Sequence, residues 1–159
     1  MQRPTEGQLA PDFTLFASGS EESVTLSSLY GEQRKRVVLF FYPKDDTPGC
    51  TVEACAFRDL SAEFAALGVL VLGISKDSVK SHEKFVSKFG LTFPLLADIE
   101  MQVSQAYGVW VQKMNYGKPY MGIERTTFIV GSDGIITRIF AKVKPEGHAQ
   151  EVLKYLKGD

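Results

Sequence analysis

Apolar residues in this chain gather into short unbroken runs, separated by polar stretches with helical spacing. The first strong run is Val37-Val38-Leu39-Phe40-Phe41-Tyr42. A continuous run of that kind fits a strand covered on both faces. Val69-Leu70-Val71-Leu72-Gly73-Ile74 reads the same way. Between the two, Ala56, Leu60, Phe64 and Leu67 recur at helical spacing, with Arg58, Asp59 and Glu63 on other faces. This predicts a helix from Pro48 to Leu67, stopped by Gly68. Strand, helix and strand at this spacing form a βαβ unit with a right-handed crossover.

The flanking segments extend the pattern. Residues 1–12 carry Pro4, Gly7 and Pro11 and read as an extended lead-in. Phe13–Phe16 and Val24–Leu26, on either side of a Gly/Ser/Glu turn, predict an N-terminal β-hairpin at the edge of the fold. Ser27 to Tyr30 fits one helical turn. Ser75 to Ser78 opens a second helix, Val79 to Phe89, closed by Gly90. Phe93–Ala97 is a short strand that Pro94 keeps away from the sheet centre. Asp98 is placed to cap a helix from Ile99 to Tyr107. Residues 109–124, with Trp110, Tyr116, Gly117, Pro119 and Gly122, read as an irregular excursion. Thr126–Val130, Ser132-Asp133-Gly134 and Ile135–Phe140 spell a β-hairpin. Gly147 to Lys157 is a closing amphipathic helix with Val152, Leu153 and Leu156 inward. The expectation is a single α/β domain over residues 1–159, with a mixed central sheet flanked by helices.

Composition narrows the function classes. Net charge is -1, from 18 basic and 19 acidic residues, so nothing calls for nucleic acid or an acidic membrane surface. No apolar run approaches the ~20 residues of a membrane helix. Met1 to Gly7 lacks the apolar core of a signal peptide, which leads us to expect a cytoplasmic protein. In a reducing compartment, Cys50 and Cys55 are reactive or metal-binding thiols rather than a permanent bridge. His82 and His148 lack metal-ligand spacing to them and read as solvated histidines; no metal site is expected. No G-x-G-x-x-G fingerprint is present, so no nicotinamide or flavin cofactor is expected.

The candidate chemistry lies between the two buried strands. Thr47 is a good N-cap type, and Pro48 then falls at the first helical position. Cys50 sits in the first turn, at the positive end of the helix dipole. Such a setting can bring a thiol from ~8.5 into the range ~3.5–7.5. Pro43 ends the strand and shapes the loop.

Pro43-x-x-x-Thr47-x-x-Cys50 resembles the active-site motif of the peroxiredoxins, and FYPKDDTPGCTVEACAFRD is similar to the peroxiredoxin Q (bacterioferritin comigratory protein) subfamily. The resemblance covers nearly the whole chain. It implies a thioredoxin-like fold and a thiol-dependent peroxidase acting on hydrogen peroxide and organic hydroperoxides. It places the peroxide site at Pro43, Thr47, Cys50 and Arg125, the last within YMGIERTTF. It also implies that Cys55 resolves the Cys50 sulfenic acid as an intramolecular disulfide, which thioredoxin or a similar dithiol reduces. In an unbroken helix, residues five apart have Cα atoms ~8–9 Å apart, beyond the ~7 Å reach of a disulfide. The first turns must therefore unwind in each cycle.

Three other readings stand beside this one. An external thiol completes the cycle; the protein is a thioredoxin-like disulfide oxidoreductase, although C-x-x-C is absent; or it is a non-catalytic interaction protein that binds through Trp110 to Tyr120. With no cysteine in the C-terminal tail, a monomer or weak homodimer is expected.

Overall fold

The computed structural model describes residues 3–158, so the first two residues of the expected lead-in lie outside it. The elements run β1 (Thr14–Phe16), β2 (Ser23–Thr25), a π-helical turn (Ser28–Glu32), β3 (Arg36–Phe41), α1 (Pro48–Asp59), α2 (Ser61–Ala66) and β4 (Val69–Ser75). There follow α3 (Val79–Phe89), β5 (Leu95–Ala97), α4 (Gln102–Ala106), β6 (Trp110–Asn115), β7 (Lys118–Ile123), β8 (Thr126–Val130), β9 (Ile136–Phe140) and α5 (His148–Leu156). Five strands form the central sheet in the order β5-β4-β3-β8-β9. β3 runs parallel to β4 and antiparallel to β8, giving the mixed sheet of a thioredoxin-like fold.

The continuous apolar run of β3 follows from its central place. Side chains alternate across a strand, so Val38, Phe40 and Tyr42 enter one core and Val37, Leu39 and Phe41 the other. The first core packs under α1, α2, α3 and α5 through Phe57, Phe64, Phe85, Val152 and Leu153. The second is closed by Phe13, Leu26, Val103, Tyr107 and Val109. Phe57 is the pivot of the first, stacked on Phe40 at 4.7 Å between centroids.

Local signals place the remaining elements. The Ser78 hydroxyl accepts from Ser81 N at 3.1 Å and opens α3, and Gly90 closes it at φ 63. β1 and β2 pair antiparallel as the expected hairpin. Pro94 precedes β5, which lies at the sheet edge beside β4. The lead-in docks along β9, with Leu9 bridged to Ile135.

Four expectations need correction. The helix from Pro48 to Leu67 breaks at Leu60 into α1 and α2; Ala56, Leu60, Phe64 and Leu67 do pack on the core, but the most deeply buried face of α1 is Cys50, Glu53, Ala54 and Phe57. The helix from Ile99 to Tyr107 shrinks to α4, because Met101 takes a left-handed φ of 58; Asp98 still caps it, accepting from the Val103 and Ser104 amides. Residues 109–124 are not irregular: β6 and β7 pair in register from Trp110↔Ile123 to Asn115↔Lys118. Tyr116 and Gly117, at φ 51 and 79, supply its tight turn, and two positive φ values in succession are what such a hairpin requires. His82 and His148 are not solvated; both are buried. Their ring nitrogens meet polar partners across the fold and along α5, which a spacing argument cannot see.

Candidate active site

Four segments meet at the C-terminal end of β3. Thr126 pairs with Phe41 at the start of β8, so the chain just before it, Arg125, arrives beside the loop that follows β3. That register brings Arg125 to Cys50 across 75 residues of sequence. Thr47 is the N-cap residue of α1, Pro48 and Gly49 follow, and Cys50 lies in the first turn, 1% exposed. Both guanidinium nitrogens face the sulfur: Arg125 Nη2 is 3.5 Å and Nη1 3.6 Å from Cys50 Sγ. Helix-end amides and a permanent cation both favour thiolate over thiol.

Gly49 is what admits the arginine. A Cβ at this position would stand 3.1 Å from Arg125 Nη2 and 3.2 Å from Pro145 Cγ. The site thus has two sides, α1 and the segment after β9, with the guanidinium between them.

Glu53, one helical turn from Cys50, is the functional residue that sequence reasoning missed. It is fully buried, and its Oε1 accepts from Arg125 Nη1 at 2.8 Å. Its Oε2 has no hydrogen-bond partner among the described residues. Burial pushes the Glu53 carboxyl up to about 7, against the opposing pull of Arg125. Burial also works against the Arg125 charge, but Glu53 and Cys50 outweigh it and raise Arg125. The two partners respond differently because the carboxylate is wholly desolvated while the arginine side chain keeps 15% exposure. Placing Cys50 and Glu53 three apart on one helical face would have revealed a charged residue in a buried stripe.

A buried polar network fixes the loop between β3 and α1. Tyr42 donates to Asp45 Oδ1 at 2.6 Å, and Ser81 to Asp45 Oδ2 at 2.8 Å. His82 Nδ1 is 2.7 Å from Asp45 Oδ2, and its Nε2 is 2.9 Å from the Leu96 carbonyl. The carbonyl can only accept, so Nε2 donates to it. Asp77 holds the Asp45 amide at 2.8 Å and accepts from Ser75 at 2.6 Å. Asp45, Asp77 and His82 lie close enough to hold a metal ion. Their ligand atoms are already engaged with Tyr42, Ser75, Ser81 and the Asp45 amide, which fits a structural latch.

The other expected site residues fall nearby with unequal roles. Pro43 is half-buried at the end of β3. Thr47 is the N-cap residue by position, but its hydroxyl donates to the Lys44 carbonyl at 2.9 Å instead of capping α1 or meeting the sulfur. Cys55 is partly exposed, lies in the same unbroken helix as Cys50, and is not bonded to it.

Comparisons with known proteins converge on one group. Residues 7–139 match the model of the AhpC/TSA family. A putative peroxiredoxin bcp of Coxiella burnetii is 52% identical over 147 residues, covering 92% of this chain and 95% of that protein. The peroxiredoxin Bcp of Bacillus subtilis is 47% identical over 95% of this chain and 94% of its own. Among solved structures, a Xanthomonas campestris bacterioferritin comigratory protein, described for its alkyl peroxide reduction activity, superposes with a TM-score of 0.85 at 42% identity, over 92% of this chain and 90% of that one.

Proposed function

Because this chain belongs to the AhpC/TSA family, and within it to the peroxiredoxins, which are thiol peroxidases, we propose that Cys50 is the sulfur that attacks the peroxide and Cys55 the thiol that resolves it. The observation that carries this reading is the buried Cys50 sulfur in the first turn of α1, with both Arg125 Nη atoms within 3.6 Å.

The reaction follows from that geometry. The Cys50 thiolate uses a lone pair to form an S–O bond with the terminal oxygen of the hydroperoxide, and the O–O bond breaks. The departing alkoxide or hydroxide takes the proton that Cys50 gave up on ionising and leaves as alcohol or water. Arg125, a fork donor, stabilises sulfur and developing oxyanion together. Glu53 fixes the guanidinium plane through Nη1. Pro43 covers the loop side of the sulfur, and Thr47 turns its hydroxyl from Lys44 O to the peroxide when substrate enters.

The Cys50 sulfenic acid then meets Cys55. The Cys55 sulfur displaces hydroxide, released as water, and a disulfide forms. A thioredoxin-like dithiol supplies two electrons and two protons to restore both thiols. The substrates are hydrogen peroxide and alkyl hydroperoxides. The chain works as one domain, and as a monomer or a weak homodimer that shares no sulfur chemistry, since both thiols of the cycle lie in one helix. Dependence on a dithiol reductant fits the cytoplasm. No helix among the described residues is long and apolar enough to cross a membrane.

The test is intact mass with thiol alkylation, before and after one equivalent of hydrogen peroxide. Loss of two hydrogens and of both alkylation sites at monomer mass is expected for the wild type, and a trapped sulfenic acid for Cys55→Ser. A wild type that gains oxygen while Cys55 stays alkylatable would remove the resolving role. If neither thiol reacts, the assignment of both cysteines fails.

A further inference from the structure

One positive charge at this site serves two acids. Arg125 Nη1 is 2.8 Å from Glu53 Oε1, and the same guanidinium faces the Cys50 sulfur. When both acids are ionised, the buried cluster of Cys50, Glu53 and Arg125 carries a net negative charge. Neither acid is open to solvent, so water does little to relieve it. A second cation near the cluster would balance it.

Lys113 on β6 fits that place. Its stem lies across the hairpin on Gly122 of β7: a Cβ there would stand 3.2 Å from Lys113 Cδ and 3.5 Å from Lys113 Cε. Gly122 is three residues before Arg125, so the hairpin carrying the lysine leads directly into the arginine. The Lys113 ammonium has no ion pair or hydrogen bond among the described residues, although its side chain is partly buried. Of the other charged groups around the site, Lys44, Lys142, Lys144 and Glu146 are exposed to solvent, and the rest are engaged. Glu124 is held by Arg3 and by Thr126, Lys76 lies over the Trp110 ring at 5.8 Å, and His148 meets Thr127 and Glu151. Burial lowers the Lys113 pKa first, and Arg125 and Lys76 lower it further, while Cys50 and Glu124 pull it up. These influences agree with a stem laid on the hairpin strand that leads into Arg125.

We propose that Lys113 is an electrostatic positioning residue for the peroxidase reaction, supplying the positive charge that Arg125, shared with Glu53, cannot give in full to the Cys50 thiolate. This rests on Cys50 being the attacking sulfur.

The experiment is the pH profile of Cys50 alkylation by iodoacetamide in the Cys55→Ser background, which leaves one thiol to read. Lys113→Met keeps the stem and removes the charge. Its half-maximal pH is expected to rise by on the order of one unit, as for the loss of one nearby positive charge. Lys113→Arg restores the wild-type profile. Gly122→Ala, which displaces the stem, moves it in the same direction as Lys113→Met. Superimposable wild-type and Lys113→Met profiles would overturn the proposal. So would a Lys113→Arg profile as displaced as that of Lys113→Met. Reaction of Cys50 with hydrogen peroxide is followed in the same samples: an inert Cys50 sinks the underlying assignment, whereas a reactive Cys50 with an unmoved profile sinks only the role of Lys113.

Discussion

Glu53 and Arg125 are joined at 2.8 Å through Oε1 and Nη1, and the second carboxylate oxygen of Glu53 has no partner among the described residues. The pair is therefore under strain from desolvation, and that strain depends on pH. The Glu53 carboxyl is raised by burial to about 7 in the folded chain, against 4.5 for an ordinary glutamate. Between those values the native state binds more protons than the unfolded state, so the contribution of Glu53 to stability falls as pH rises through that window. The full loss above pH ~7 is on the order of 3 kcal/mol. Glu53→Gln keeps an acceptor for Arg125 without the charge. Its urea stability relative to wild type is expected to be higher at pH 8 than at pH 5; equal differences at the two pH values would contradict the buried, strained carboxylate.

Arg125→Met removes both donors to the sulfur while roughly preserving the stem. A lost pair of preorganised donors at a reacting centre costs on the order of a hundredfold or more in rate. Stopped-flow peroxide consumption should show that loss in kcat/KM. The variant also leaves Glu53 buried without its cation, so its stability should fall most above neutral pH.

Gly49→Ala separates folding from chemistry. Alanine is the better helix former by up to ~1 kcal/mol, so α1 itself gains. The added methyl, however, would stand 3.1 Å from Arg125 Nη2 and 3.2 Å from Pro145 Cγ. One of the two must move. Peroxidase activity is expected to fall about tenfold, as for a displaced donor, with thermal stability kept near that of wild type. Full activity would mean that Pro145, not Arg125, gives way.

The contrast between these residues shows what the sequence could say. Cys50 was legible because a strand, a Pro/Thr/Gly loop and a helix start leave local signatures, and the motif around it is specific. β3 and β4 were legible because central strands bury both faces. Glu53 and Lys113 were not, because their meaning comes from partners across the fold. Glu53 needs the full inner face of α1, of which the apolar spacing from Ala56 to Leu67 shows only one edge. Lys113 needs the β6–β7 hairpin, and Gly117, Pro119 and Gly122 obscured its alternation. His82 looked solvated because its helix is rich in lysine and serine; only the tertiary contact with Asp45 and Leu96 shows otherwise.

That contact carries its own prediction. His82→Leu leaves Asp45 and the Leu96 carbonyl each short of a buried hydrogen-bond partner, at about 1–3 kcal/mol per unsatisfied group. Tyr42→Phe removes the hydroxyl that meets Asp45 Oδ1 and His82 Nδ1 and should cost about 1–3 kcal/mol. Urea unfolding checks both. Because Asp45 and Asp77 anchor the loop that precedes Thr47, both variants should also slow peroxide turnover. A His82→Leu protein as stable as wild type would show that the latch is not needed for folding.

The disulfide step makes the last demand on α1. Cys50 and Cys55 lie in one unbroken helix, which sets their Cα atoms ~8–9 Å apart, while a disulfide closes only within ~7 Å. Some turns must open, and burial says which. Up to Cys55 the helix buries only Cys50, Glu53 and Ala54, and the Glu53–Arg125 contact is its main polar tie. Beyond it, Phe57 is stacked on Phe40 and packed edge-on against Phe93 and His148. Releasing that ring would cost about 3–5 kcal/mol, as for a large buried aromatic. Opening therefore stops short of Phe57. Amide hydrogen exchange on peroxide-treated protein should lose protection over residues 48–55 and retain it over 57–66 and β3. Disulfide-linked protein with full protection at 48–55 would mean that α1 stays wound and the backbone accommodates the bond elsewhere.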